Sequence, residues 1–206
     1  MSENSIPPIT LRALQPADAE ALYNIDYSFE TDRIYKLRAE GDQFRREGAD
    51  EADQETARSF CSFKLVETPV YPPFYKNYRM GYETLEAVQA RLQQAEGGYV
   101  VLVDGKVDGG IFLKLEAWRS LARIEDVLVG RQSRRYGIGS LLLDCAADWA
   151  RNRNCRAILL ETQNTNYPAI QFYLRNGFEI WGINQHFYPP GPFVDEIALF
   201  LGKRLR

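Results

Sequence analysis

The sequence predicts a mixed α/β fold (α+β in character), in which a central mixed sheet carries helices on its faces. Strand-like and helix-like segments alternate in the order β-α, hairpin, β-α-β-α-β-β. Hydrophobic residues make up 45% of the 206 residues and aromatic residues 13%, which excludes a disordered class and supplies a core for one domain. We expect a flexible amino-terminal tail over 1–8 and a single domain over 9–206.

The amino-terminal third begins with regular elements and then loses its pattern. Thr10–Leu14 predicts a first strand, and a helix is expected to follow it to about Phe29. Residues 39–58 carry dense mixed charge with almost no apolar period, which indicates a charged insertion, either a loop or a solvated helix. Phe60–Glu67 is a candidate strand, and the prolines within 69–73 are expected to break the chain after it.

The middle of the chain contains a hairpin signal. Leu85–Ala95 predicts a helix. The apolar runs Tyr99–Val103 and Val107–Leu115 flank Asp104-Gly105, a dipeptide favoured in tight hairpin turns. Arg123–Val129 predicts the next strand of the same sheet.

The carboxyl-terminal segments predict two further helices and three strands. An Asn-Gly pair after the second helix is a good helix stop, and four residues rich in proline separate the last two strands. In chain order these segments are Ser140–Ala150, Ala157–Gln163, Ala169–Arg175, Phe178–Tyr188 and Glu196–Leu201.

A basic, glycine-containing turn, Arg134-Arg135-Tyr136-Gly137-Ile138-Gly139, joins the strand at Arg123–Val129 to the following helix. Its glycines allow backbone amides to approach a ligand closely, and the helix amino terminus adds partial positive charge. No Gly-Lys-Ser/Thr follows, so the turn is not a Walker motif, and two glycines do not complete a dinucleotide fingerprint. Taken alone, the turn fits a phosphate site and an ordinary strand-to-helix connection equally well.

A second motif downstream makes the pattern far more specific. The order R-x-x-G-x-G, helix, strand, N-x-x-A-x-x-x-Y-x-x-x-G-F is completed by Asn166, Ala169, Tyr173, Gly177 and Phe178. With these paired motifs the chain resembles the GNAT superfamily of acetyl-CoA-dependent N-acetyltransferases from about Gly98 to Phe200. Four segments resemble its streptothricin acetyltransferase branch: Pro73–Tyr78, Ile124–Asp126, Leu160–Gln163 and Asp195–Phe200.

The resemblance implies a mostly antiparallel sheet that splays near acetyl-CoA, the cosubstrate. It also implies that backbone groups of Val127, Leu128 and Val129 contact the pantetheine arm, and that Asn166 contacts the cosubstrate. The pyrophosphate would be held by amides and side chains of Arg134, Arg135, Gly137, Ile138, Gly139 and Ser140. The chain departs from the family at Arg135, where a glycine is usual.

Tyr173 occupies the position of the family's tyrosine general acid, four residues before Gly177. A phenol with a pKa near 10 stays protonated at neutral pH and can donate a proton to a departing thiolate. The alternative is an aromatic side chain that packs the helix face beside Phe172.

The candidate bases are Glu125, Asp126 and Glu161, all on predicted central strands. Neighbouring strand residues face opposite ways, so Glu125 and Asp126 enter one site only if the strand is bulged. The family pattern places Glu125 on the substrate side, which ranks it first. Glu161 lies twelve residues before Tyr173, the base-to-acid spacing of ribosomal-protein N-terminal acetyltransferases, and ranks second. Each carboxylate could instead bind a substrate cation or pair with an arginine; Asp195 and Glu196 are expected at the rim.

The resemblance predicts an N-acetyltransferase for a primary amine of a small, cationic acceptor such as streptothricin, with antibiotic resistance as one role. A protein N-terminal acetyltransferase and a noncatalytic acyl-CoA sensor stay open as alternatives.

Composition predicts the remaining partners and the compartment. The net charge of −3 argues against nucleic-acid binding, and no apolar run reaches the ~20 residues of a membrane span. Three cysteines predict a cytoplasmic protein without disulfides, and a single histidine excludes a His-rich metal site, so no metal is expected. The apolar last strand leaves a homodimer open.

Overall fold

In the computed structural model, the described residues 8–41, 61–78, 83–189 and 196–205 form nine strands and four α-helices. The strands are β1 (Ile9–Ala13), β2 (Phe29–Gly41), β3 (Cys61–Lys76), β4 (Gly97–Val103), β5 (Lys106–Glu116), β6 (Leu121–Val129), β7 (Ala157–Gln163), β8 (Glu179–Asn184) and β9 (Ala198–Arg204). The helices are α1 (Ala19–Asn24), α2 (Leu85–Gln94), α3 (Ile138–Arg151) and α4 (Tyr167–Arg175).

Seven of these strands form one sheet in the order β1-β4-β5-β6-β7-β9-β8. Every neighbouring pair is antiparallel except β6 and β7, which run parallel because α3 crosses over between them. The predicted fold class, a mixed and mostly antiparallel sheet flanked by helices, is therefore confirmed.

Each face of the sheet carries its own apolar cluster. Side chains of α3 and α4, among them Leu142 and Ile170, pack with Ile158 and Leu160 of β7 on one face. On the other face α1 and α2 pack against Phe112 of β5. Full burial of a leucine or isoleucine side chain contributes about 1.5–3 kcal/mol, so these two layers hold the helices on the sheet.

The parallel pair β6–β7 separates after its first three residues. Leu121–Arg123 pairs with Ala157–Leu159, and beyond this point the two strands are not paired with each other, although β6 continues to Val129 and β7 to Gln163. The sheet therefore opens into a V whose sides are the ends of β6 and β7. This opening positions the site described below.

The strands β2 and β3 form a separate antiparallel ribbon. The predicted strand Phe60–Glu67 is described from Cys61 and continues to Lys76, so the expectation that prolines within 69–73 break the chain is wrong. Proline is tolerated here because each strand of a two-stranded ribbon has an unpaired edge. Of the predicted charged insertion 39–58, residues 39–41 belong to β2 and the rest lies outside the described residues.

Several predicted ends differ from the observed ones. The first helix ends at Asn24 rather than Phe29, because Ile25 turns to an extended backbone (φ −65°, ψ 130°) and Phe29 opens β2. At the carboxyl-terminal end β8 stops at Asn184, short of Tyr188, and β9 continues to Arg204. These limits are set by partner strands, which local sequence does not specify.

No helix in the described ranges combines the length and the apolar character needed to cross a membrane.

Candidate active site

The basic turn after β6 leads into α3 and leaves space beside its first backbone N–H groups. Gly137 precedes α3 with φ +80°, and no atom would lie within 4 Å of a side chain placed there. The first N–H groups of a helix have no partner within the helix, so those of Ile138, Gly139 and Ser140 are free to meet an anion. Arg135 adopts φ +74°, the left-handed conformation that suits glycine. The chain thus keeps the glycine-type turn although an arginine stands in it.

The two arginines of the turn differ in their surroundings. Arg134 is half-buried, and its Nε donates to the carbonyl oxygen of Val129, 3.3 Å away, at the end of β6. Burial lowers the pKa of Arg134, and the negative charge of Asp26 opposes that shift. Arg135 is exposed. Arg134 therefore fixes the turn to the strand, whereas Arg135 leaves its charge at the surface.

Gly139 and Ile138 have packing roles at the start of α3. A Cβ at Gly139 would come within 2.8 Å of the Phe172 ring of α4, so the glycine allows α3 and α4 to touch. The side chain of Ile138 is 2% exposed and belongs to the core. Both residues can contribute to a ligand through their backbone amides.

Among the residues that the structure describes, the end of β6 has no partner strand on the side of β7. Val127, Leu128 and Val129 pair with β5 on one side, while the pairing with β7 has already ended. Leu128 is buried against α1 and α2, and the two valines pack toward the opposite face. An extended ligand arm can therefore form strand-like hydrogen bonds along this edge.

Tyr173 projects from α4 into the core and is 7% exposed. Its ring centroid lies 5.3 Å from that of Phe172 and 5.8 Å from that of Phe178. Within the described part of the chain its hydroxyl makes no hydrogen bond. Burial raises the pKa of Tyr173, and the negative charges of Asp126 and Glu161 raise it further. The phenol is thus kept protonated beside two carboxylates from the two sides of the V.

Asn166 is the N-cap of α4. Its Oδ1 accepts a hydrogen bond from the Ala169 amide at 3.2 Å, and its Nδ2 donates to the hydroxyl oxygen of Tyr78 at 3.1 Å. The Tyr78 hydroxyl in turn donates to Oε1 of Gln163 at 2.9 Å, and its ring stacks on Tyr27. Asn166 therefore links α4 to the segment that directly follows β3. The sequence reasoning did not assign Tyr78 a role, although the Pro73–Tyr78 segment contributed to the resemblance.

A bulge in β6 brings Glu125 and Asp126 onto the same side of the strand. Phe112 of β5 pairs with Asp126 and the next residue, Leu113, pairs with Ile124, so Glu125 has no partner of its own. Glu125 Oε1 lies 3.0 Å from Nε of Arg123. Asp126 faces α2, where its Oδ2 lies 2.6 Å from Nε of Arg91.

Arg91 also forms an ion pair with Glu83, which lies just before α2. Burial raises the pKa of Asp126 to about 6; the Arg91 guanidinium lowers it and the nearby Glu125 carboxylate raises it. Asp126 therefore changes charge close to neutral pH.

Glu161 lies across the V on β7 and accepts a hydrogen bond from the Tyr188 hydroxyl. Burial raises the pKa of Glu161, while the Tyr188 hydrogen bond and the charges of Arg123 and Lys76 oppose the rise. Arg123 also pairs with Glu125. One guanidinium thus lies near carboxylates from both strands.

A buried ion pair between Lys76 and Glu196 lies near Glu161. Lys76 Nζ lies 2.6 Å from Oε1 of Glu196, and the two side chains are 6% and 7% exposed. Thr165 also donates to this carboxylate, at 2.5 Å. The expectation that Glu196 lies at the rim is wrong because this pair draws it inside; Asp195 lies outside the described residues.

The structure brings the predicted residues together around the V. Arg123 lies near both Glu125 and Glu161, and the charges of Asp126 and Glu161 act on the buried Tyr173. In the described ranges no three His, Cys, Asp or Glu side chains are grouped to hold a metal ion.

Comparison with known proteins identifies relatives along nearly the whole chain. The family model described as Acetyltransferase (GNAT) family matches residues 62–178. Streptothricin acetyltransferase of Streptomyces lavendulae is 30% identical over 192 residues, which cover 92% of each protein. The crystal structure of nourseothricin acetyltransferase matches with a TM-score of 0.77 and 27% identity, over 96% of this chain and 99% of that chain. A candidate streptothricin acetyltransferase of Bacillus anthracis, solved with acetyl coenzyme A, matches with a TM-score of 0.71 and 26% identity, over 97% and 99%.

Proposed function

This chain belongs to the GNAT family of acetyltransferases, and we propose that it moves the acetyl group of acetyl-CoA to a primary amine of a small, cationic acceptor of the streptothricin type. The observation that carries the proposal is the V between β6 and β7, which has carboxylates on both strands and the buried Tyr173 near them. The streptothricin acetyltransferase relatives support this acceptor class.

Acetyl-CoA would lie along the edge of β6 on the side of β7. The backbone groups of Val127, Leu128 and Val129 suit the amide-bearing pantetheine arm, which is an extended chain with donors and acceptors of its own. The pyrophosphate would meet the amides of Ile138, Gly139 and Ser140 beyond the open space at Gly137. Arg135 would add its exposed charge. Asn166 would act through the start of α4, since both polar atoms of its side chain already have partners.

Tyr173 would donate the proton that the leaving thiolate requires. Its raised pKa means that the phenol is protonated at neutral pH, and its hydroxyl is not committed to another described group. The packing against Phe172 and Phe178 fixes the ring without consuming the hydroxyl. Packing and catalysis are thus compatible at this position.

Glu125 and Glu161 would hold the cationic acceptor from the two sides of the V. Both lie near Arg123, which means that this point already accommodates a positive charge between two carboxylates. The sequence-based assignment of either glutamate as the catalytic base stays a prediction.

The test is free thiol release from acetyl-CoA by the purified protein with a panel of amines that includes streptothricin, polyamines, lysine derivatives and short peptides. We expect turnover with a polycationic small molecule and none with peptides. Turnover with peptide amino termini alone would favour the protein N-terminal acetyltransferase. Acetyl-CoA binding without turnover on any amine would favour the noncatalytic sensor, and absence of binding would overturn the assignment of the basic turn.

A cytoplasmic location, a homodimer, the absence of a nucleic-acid or membrane partner, and the division into a tail and one domain stay predictions. Gel filtration measures the oligomeric state directly.

A further inference from the structure

The proposed reaction needs a group that removes a proton from the acceptor ammonium, and three carboxylates stand at the V. They differ in their contacts. Glu125 pairs with Arg123, 3.0 Å away, and lies 3.9 Å from Lys114. Glu161 accepts the Tyr188 hydroxyl. Asp126 alone of these three is drawn toward α2, where Arg91 holds one of its oxygens.

We propose that Asp126 accepts the proton from the acceptor ammonium, and that Arg91 is the positioning residue that holds the Asp126 carboxylate for this step. The assignment rests on the proposed function. It separates proton transfer, at Asp126, from cation binding, at Glu125 and Glu161.

The bulge in β6 supplies the first argument. In a regular strand Asp126 would share the face of Ile124 and point into the core under α3. The extra residue at Glu125 reverses this alternation, so that Asp126 instead meets Arg91 of α2. A bulge that re-aims one side chain next to an active site is a common device in proteins.

The geometry of the carboxylate supplies the second argument. Oδ2 has no solvent-accessible surface and faces Arg91, whereas the side chain as a whole is 28% exposed. The accessible surface therefore belongs to its other atoms, among which Oδ1 is the hydrogen-bond acceptor. The ion pair occupies Oδ2, which leaves Oδ1 as the oxygen that can accept a proton from a bound amine.

The charged neighbours of Asp126 supply the third argument. Arg91 of α2, itself paired with Glu83, faces it from one side; Glu125 adjoins it on β6; and Tyr173 approaches from α4. The pKa of Asp126 is raised to about 6, because burial outweighs the attraction of Arg91. A base is most effective when its pKa lies near the working pH, and this value meets that condition.

The reaction then balances as follows. The acceptor ammonium gives one proton to Asp126, and the neutral amine nitrogen bonds to the thioester carbonyl carbon. The carbon–sulfur bond breaks, sulfur takes the proton of Tyr173, and the phenolate regains a proton from the acetylated nitrogen. Asp126 releases its proton to solvent, so that each turnover yields the amide, free CoA and one proton.

The test is the pH profile of kcat/KM for the acceptor in the wild type and in Asp126→Asn, Glu125→Gln, Arg91→Met and Arg91→Lys. We expect Asp126→Asn to lower kcat about 100-fold or more, because general base catalysis contributes about 10²–10⁴-fold. The variant should also lose the acid limb, which is the fall in kcat/KM below about pH 6. Glu125→Gln should keep the limb, moved to somewhat lower pH because a nearby negative charge is lost, and should raise the acceptor KM. Arg91→Met should move the limb to higher pH, whereas Arg91→Lys, which keeps the charge, should leave it nearly in place.

Acetyl-CoA binding measured on each variant shows whether it is folded, and if Asp126→Asn does not fold, the shift in Arg91→Met decides the matter. If the wild type is active and the folded Asp126→Asn variant has the same kcat, the assignment of the base is overturned. The same holds if the acid limb of Arg91→Met stays at the wild-type pH. A wild type that is inactive on every amine would overturn the proposed function instead.

Discussion

Two regions enclose the V of the sheet, and they are built in different ways. The strand–turn–helix unit of β6, the basic turn and α3 is continuous in sequence, and short-range features form it: a strand that pairs with β5, a glycine at φ +80° and an amphipathic helix. The β2–β3 ribbon is held to the sheet by residues far apart in sequence. Asn164 donates to the Tyr35 carbonyl at 2.6 Å, and Lys76 pairs with Glu196, 120 positions away.

The strand–turn–helix unit is therefore specified locally, whereas the position of the ribbon depends on a few buried polar contacts between distant residues. Removing one partner of a buried ion pair lowers the free energy of unfolding by much more than the intact pair contributes, because a buried charge is left without a partner. One substitution can therefore detach the ribbon, while the strand–turn–helix unit tolerates small changes. Four experiments test this difference, in order of decreasing expected effect.

Lys76→Met should be the most damaging of them. It leaves the Glu196 carboxylate buried, with Thr165 still bonded to it but without the ammonium, and removal of one member of a buried pair costs about 3–5 kcal/mol. The measurement is the free energy of unfolding in urea. Lys64→Met is the matched control on the same strand, because its pair with Glu40 is 62% and 60% exposed and should be worth about 0–1 kcal/mol. Equal losses in the two variants would contradict the idea that the buried pair anchors the ribbon.

Tyr173→Phe should lower kcat about 100-fold, equivalent to about 2.7 kcal/mol, with little change in acetyl-CoA binding. The ring contacts with Phe172 and Phe178 survive the substitution, so the loss reports on the hydroxyl. The measurement is steady-state thiol release together with the Kd for acetyl-CoA. Tyr99→Phe, on β4, removes a hydroxyl outside the V and should keep the wild-type rate. An unchanged kcat in Tyr173→Phe would leave the tyrosine a packing residue.

The same contrast explains how much the sequence could predict. The hairpin at Asp104-Gly105, the strand before the turn and the paired motifs around Gly137 and Tyr173 are local patterns, and from them the fold class and the family were predicted and are confirmed. Of the ribbon only part of β3 was predicted, because β3 contains prolines that were expected to end the strand, and because the last residues of β2 were assigned to the charged insertion.

The polar side of the site was predicted in part. Glu125, Asp126 and Glu161 were candidates because they lie on central strands, and the need for a bulge was foreseen, but its position depends on the pairing of β6 with β5. The pairing of Lys76 with Glu196 and of Arg91 with Asp126 joins segments whose distance in sequence hides them from local patterns.

Protonation of Asp126 should change the free energy of unfolding as well as the reaction rate. Its pKa of about 6 in the folded protein lies above the ordinary aspartate pKa of about 3.9, so between these values the folded state binds more protons than the unfolded state. The free energy of unfolding therefore falls through this group as the pH rises from about 4 to about 6, by an amount on the order of 1–2 kcal/mol.

Urea unfolding of the wild type and Asp126→Asn at several pH values measures this effect. Asp126→Asn should gain stability relative to the wild type as the pH rises through the window, whereas Glu125→Gln, the neighbouring control, should keep the fall in stability and only move it to somewhat lower pH. If the free energies of unfolding of the wild type and Asp126→Asn change with pH in the same way, the pKa of Asp126 is not raised in the folded protein.

Arg135→Gly should give the smallest effect, and it should be a gain. A residue with a side chain pays about 1–2 kcal/mol in the left-handed conformation, and Arg135 adopts φ +74° there; part of the relief is lost because glycine is more flexible in the unfolded chain. A net gain of about 1 kcal/mol should raise the Tm by about 2–4 °C.

Arg135→Ala is the matched control, because it removes the same charge and keeps the strained backbone. Both variants should raise the KM for acetyl-CoA if the guanidinium binds phosphate. Only the glycine variant should melt at a higher temperature. Equal melting temperatures in the two would mean that the strained turn costs nothing, and an unchanged KM in both would assign the phosphate to the backbone amides of α3.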